Sequence, residues 1–144
     1  MSQSNINPQE TTLLWHIEKI IYAAEGCVLK NDFFVENKIH LDFVSDMCHI
    51  TTFQALLFAL FVNESDHESI CISDISEHLK CKKISLINHL GDFDELEKRK
   101  FIRCCRSDGS VDYRVPKEVV VAVTQNRLYL PPDTTNLSVI QIFE

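Results

Sequence analysis

Two groups of side chains in this sequence have the types and spacing to do chemistry, and both are basic. Lys82, Lys83, Ser85, Asn88 and His89 fall within one eight-residue stretch. Arg103, Arg106 and Arg114 surround Asp108-Gly109 in KFIRCCRSDGSVDYRVP (100–116), with Lys100 and Lys117 near its base. Lys and Arg bind phosphate oxygens, while Ser, Asn and His also reach base edges, so together they suit a nucleic acid. Four carboxylates stand among them: Asp92, Glu95, Asp108 and Asp112. These acids either repel phosphates or neutralise the arginines in a charge-mixed surface.

Other chemistry has less to stand on. His78 and Cys81 lie three apart and Cys104 and Cys105 are adjacent, but this spacing matches no zinc module, so no metal is expected. There is no G-x-x-x-x-G-K-[ST] loop, no H-E-x-x-H and no G-x-S-x-G, so the chain reads as non-catalytic and without a cofactor. Asp92, Asp94, Glu95 and Glu97 read as a helix surface rather than an acid/base pair.

The formal charge of −7 is unevenly spread. Residues 1–69 hold three Lys/Arg against ten Asp/Glu, residues 70–118 hold ten against nine, and residues 119–144 one against two. The basic side chains thus belong to the only section that is not acidic, which leaves polyanion binding open there. With 45% apolar and 24% charged residues in 144, the composition is that of one ordinary globular domain. The longest apolar run, FQALLFALFV, is too short for a membrane span and the N-terminus lacks a signal-peptide pattern. With six Cys and none in C-x-x-C spacing, reduced thiols in the cytoplasm are the expectation.

The elements that must position these groups follow from periodicity. TTLLWHIEKIIYAAEG (11–26) predicts a helix ended by Gly26, with Trp15 and Tyr22 as anchors for a partner if exposed. Residues 27–49 read as mostly helical, begun by Asn31 or Asp32, with Phe43, Val44, Met47 and Cys48 on one face. Thr51 and Gln54 fit a capping box that opens a helix apolar nearly all round, which belongs at the centre of the core. SICIS (69–73) suggests a short strand with Ile70 and Ile72 inward, after which Ser73 caps a two-turn helix. ISLINHLGDFDELEKRK (84–100) reads as one longer helix. Leu86, Ile87, Leu90 and Phe93 form its buried side and Ser85, Asn88, Asp92, Glu95 and Arg99 its solvated side. Gly91 there implies a kink or close packing. Asp108-Gly109 suits a two-residue hairpin turn, with Val111, Tyr113 and Val115 inward on the second strand. Pro116 opens a final helix.

Helix, short strand, short helix, longer helix and β-hairpin is the order of a winged helix-turn-helix, and DELEKRKFIRCCRSDGSVDYRVP resembles the recognition-helix end and wing of bacterial proteins of that class. The fold class expected is therefore mainly α with a small β-hairpin wing and additional N-terminal helices. The expected division is an extension over 1–49, a winged helix over 50–126 and a tail or linker over 127–144. TTFQALLFALFVNES, ISDISEHLKC, DFDELEKRKFIRC and YRVPKEVVVAV together resemble the N-terminal module of bacterial MoxR-like AAA-type ATPases. That resemblance implies a regulatory or docking module attached to an ATPase core, with double-stranded DNA as a further partner. MarR-like transcriptional regulators are a second resemblance, though the helical stretch after the wing is shorter than their dimerising helices. A protein-docking role without DNA is the remaining alternative.

Overall fold

A computed structural model of the chain describes residues 12–107 and 109–127. The first half is four helices, α1 (Leu13–Ala24), α2 (Asn31–Glu36), α3 (Lys38–Cys48) and α4 (Thr52–Asn63). Thr12 caps α1 by accepting the Trp15 N–H at 3.2 Å. Gly26, at φ +73°, takes the left-handed turn that ends it. α2 is capped by Lys30, one residue ahead of the expected Asn31 or Asp32. At α4 the capping box is present: Thr51 accepts the Gln54 N–H and Gln54 accepts the Thr51 N–H, both at 3.1 Å. Every residue from Gln54 to Phe61 is buried, so α4 is the axis around which the rest packs. It carries no charged residue, as burial on all sides requires.

The second half is α5 (Ile72–Leu79), α6 (Lys83–Ile87), α7 (Leu90–Lys98), the antiparallel strands β1 (Arg103–Ser107) and β2 (Ser110–Arg114), and α8 (Lys117–Thr124). The chain is mainly helical with one small two-stranded sheet. The expected strand at 69–73 shrinks to a single bridge, Ile70 with Tyr113, closed by reciprocal N–H···O bonds of 2.7 and 2.8 Å. The helix starts earlier than Ser73 because the Asp74 carboxylate accepts the Cys71 N–H at 2.8 Å, so Cys71 is the cap.

The long helix expected over 84–100 is two. Asn88 and His89 interrupt it, with His89 at φ −111°, ψ 22° ahead of α7. Because of this break Leu86, Phe93 and Leu96 turn inward, while Ile87 and Leu90 turn out, against expectation. A Cβ at Gly91 would meet nothing within 4 Å, so this glycine accompanies the break and serves no close packing. In the hairpin, Gly109 is at φ +82° in the turn; Asp108 lies outside the described residues. Tyr113 and Val115 are buried as expected, but Val111 is exposed because it stands nearer the hairpin tip, past the reach of the core. Pro116 caps α8.

The buried apolar side chains form one cluster that runs from Leu13 to Val123. The tail expected over 127–144 lies outside the described residues beyond Arg127. Among the described residues no single helix is long and apolar enough to cross a membrane.

Candidate nucleic-acid interface

Strand alternation decides where the wing arginines point. The register opposes Arg103 to Arg114, Cys104 to Tyr113, Cys105 to Asp112 and Arg106 to Val111. Opposed residues share a face and successive ones alternate, so Arg103 and Arg114 stand together on one face and Arg106 on the other. Tyr113 marks the second face as inward at the root of the hairpin, where its ring meets Phe61 and Phe93 at centroid distances of 5.5 and 5.6 Å. Burial pushes the Tyr113 phenol up to about 12, so it stays protonated in the core. Arg106 shares that face but lies nearer the tip and is exposed.

The face bearing Arg103 and Arg114 continues toward α6. Extending the register past the Ile70–Tyr113 bridge sets Cys71 beside Asp112, and the Cys71 thiol donates to Asp112 Oδ1 at 3.4 Å. This hydrogen bond, followed by burial, raises the Cys71 pKa, while the Lys83 ammonium nearby acts in the opposite sense. Lys83 stands exposed at the start of α6, with exposed Lys82 preceding it.

The remaining expected contacts separate. Asn88 is exposed at the helix break, but Ser85 is half-buried and His89 is engaged. Its ring stacks on Phe53 at 3.9 Å and its Nδ1 lies 3.2 Å from Asp92 Oδ2. Asp92 Oδ1 accepts from Gln54 Nε2 at 2.9 Å, which ties the break to the capping box of α4. His89 and Asp92 thus set the direction of α7 and leave little of either for a ligand.

Of the four carboxylates that could neutralise the wing, Asp92 serves Gln54 and His89 and Glu95 holds Arg99 at 2.8 Å, whereas Asp112 accepts from the neutral Cys71 thiol and keeps its charge on the arginine-bearing face. Asp108 is outside the described residues. Among the described residues Arg103, Arg106, Arg114, Lys82 and Lys83 form no ion pair. Asp94 and Lys98, four apart on α7, form no ion pair. Like charges placed directly opposite on a two-stranded ladder destabilise it, so the Arg103–Arg114 pair costs stability that no neighbouring acid offsets by direct pairing.

A hollow of about 530 Å³ opens at the hairpin root, lined by Arg103, Arg114 and Lys117 but also by Asp66, Glu68 and Glu118. Arg103 and Arg114 therefore share this hollow with three carboxylates, none of which is within ion-pair distance of them.

The sequence pattern concealed one feature of the surface. Ile84 is 64% exposed, Ile87 43% and Leu90 40%, a line of apolar side chains on the outer side of α6 and the start of α7. Apolar residues at both 84/87 and 86/93 were the available signal, since a short helix cannot bury two sides at once. Among the described residues no group of three or more His, Cys, Asp or Glu could hold a metal ion. No protein-family model, curated protein or solved structure matches this chain.

Proposed function

We propose that this chain is a winged-helix module that contacts the phosphate backbone of duplex DNA through its β-hairpin, without catalysing a reaction. The order α4, Ile70 bridge, α5, α6 with α7, β1 and β2 supports the winged-helix reading, with α6–α7 in the place of the recognition helix. The observation that carries the functional reading is the opposed pair Arg103–Arg114, exposed and free of ion pairs. A polyanion would relieve the repulsion in that pair, and the binding would be salt-dependent because phosphates are neutralised. Fluorescence anisotropy of a labelled duplex should show binding at low salt that weakens steeply as salt rises. Replacing Arg103 and Arg114 together by Ala should weaken it across sequences and lower the log–log salt slope by about one per contact removed. A flat titration at low salt overturns the reading.

The exposed line Ile84, Ile87 and Leu90 favours a second reading, a protein-docking face on α6. The resemblance to MoxR-like ATPases supplies a partner, an ATPase core to which this module would be the amino-terminal regulatory part. Translation of the coding sequence after Glu144 tests the attachment; a stop codon there removes it. Under the docking reading Ile87→Lys abolishes association with the core and the arginine substitutions leave it intact.

A further inference from the structure

The turn between α1 and α2 lies along the end of α5, and this joint brings one cysteine from each half of the molecule together. The Gly26 N–H donates to the His78 carbonyl at 2.9 Å and the Val28 N–H to the Leu79 carbonyl at 2.8 Å. Cys27 is thus held between two bonds to the last turn of α5. Cys81 follows that turn by two residues. Lys80, at φ 58°, reverses the chain there, and the Cys81 N–H donates back to the Ser76 carbonyl at 3.1 Å. A Cβ placed on Gly26 would stand 3.7 Å from Lys80 Cγ, so the two segments run side by side. Both thiols are half-buried against the core, and a charge on Cys27 is felt at Cys81.

The turn is also strained. Val28 and Leu29 both sit at φ 57°, in the left-handed region that a β-branched residue rarely enters. The bonds to α5 therefore hold a backbone that the residues of the turn disfavour, and such segments cluster at switches. The other cysteines have different surroundings. Cys48 is buried, which pushes its thiol up to about 12, and the Cys71 thiol donates to Asp112. Cys104 and Cys105 are neighbours on β1 and point to its opposite faces.

We propose that Cys27 and Cys81 form a reversible disulfide that staples the α1–α2 turn to the end of α5. The oxidant is a small-molecule disulfide such as oxidised glutathione. One cysteine loses its proton and attacks a sulfur of that disulfide, forming a mixed disulfide and expelling one thiolate. The second cysteine, also deprotonated, attacks the protein sulfur of the mixed disulfide and expels the other thiolate. The two cysteines give up two electrons and two protons, and the small disulfide leaves as two thiols. Burial holds both thiols above the ordinary value, so little thiolate is present at neutral pH and the pair closes slowly. The closed bond ties the helical half to the segment that leads through Lys82 and Lys83 into α6.

Incubating the whole chain with oxidised glutathione, followed by mass spectrometry and peptide mapping, tests this. The expected product has lost two hydrogen masses, carries a Cys27–Cys81 link and returns to the starting mass with dithiothreitol. In Cys81→Ser the Cys27 sulfur should instead keep the glutathione. Separate glutathione adducts on Cys27 and Cys81 of the wild type, or a link between other cysteines only, overturn the proposal. Urea unfolding of the purified linked wild type gives a second reading that needs no variant. A bond that fits the joint should lower the unfolding constant by roughly 30- to 1,000-fold against the reduced chain. A linked chain no more stable than the reduced one overturns the staple, because the bond would then form only by distorting the joint.

Discussion

The helical half and the hairpin-bearing half of this molecule are built on opposite terms. α1 to α4 place acidic side chains on the outside and enclose a helix with no charge at all. In the second half, among the described residues from Arg103 to Val115, Tyr113 and Val115 alone are buried, and the outer face keeps like charges opposed. Burial fixes the first region. The second shares that core through Phe93, Leu96, Phe101 and Ile102, but its hairpin beyond Tyr113 rests on turn chemistry and strand pairing, and Arg103, Arg106 and Arg114 form no ion pair there. A surface that costs stability without a local return is where a binding role is best sought.

The sharpest way to break this contrast is Phe61→Ala. Phe61 belongs to α4 but also meets Phe93 at 5.8 Å and Tyr113 at 5.5 Å, so its loss should destabilise both halves together by about 3–5 kcal/mol in urea unfolding. A two-step transition instead would show that the halves fold separately. Asp92→Ala should cost about 1–3 kcal/mol, because it leaves Gln54 Nε2 without its acceptor at a buried residue. Amide exchange should then rise in α7 before α1. Thr51→Ala removes one partner of the capping box and should cost about 1 kcal/mol by the same denaturant measurement. Arg103→Thr should go the other way, raising stability by roughly 0.2–1 kcal/mol through relief of the opposed charges. If it destabilises the protein instead, the arginine has a structural partner and the contrast between the halves fails.

What could be read from the sequence was local. Thr51 with Gln54, Gly26, Gly109 and Pro116 each act within a few residues, so their roles follow from spacing alone. The centrality of α4 was legible because a helix apolar on every side has no other place. The break at Asn88–His89 was hidden because Leu86, Leu90 and Phe93 keep helical spacing through it. Its cause is a contact from Asp92 to Gln54, 38 residues away. The start of α5 was misplaced for a related reason, as Asp74 reaches back past Ser73 to Cys71. Among the basic residues, the sequence grouped Arg106 with Arg103 and Arg114. The paired register assigns them to opposite faces. The joint between the Cys27 turn and the end of α5 brings distant segments together and has no trace in spacing at all.

The bridge between Ile70 and Tyr113, with the Cys71–Asp112 hydrogen bond beside it, fastens the second strand of the hairpin to the body, with the ring of Tyr113 seated below between Phe61 and Phe93. The two strands therefore act as a lever with its fulcrum at that ring. A ligand held by the arginines would bear on the Tyr113 ring and, through Phe61, on α4.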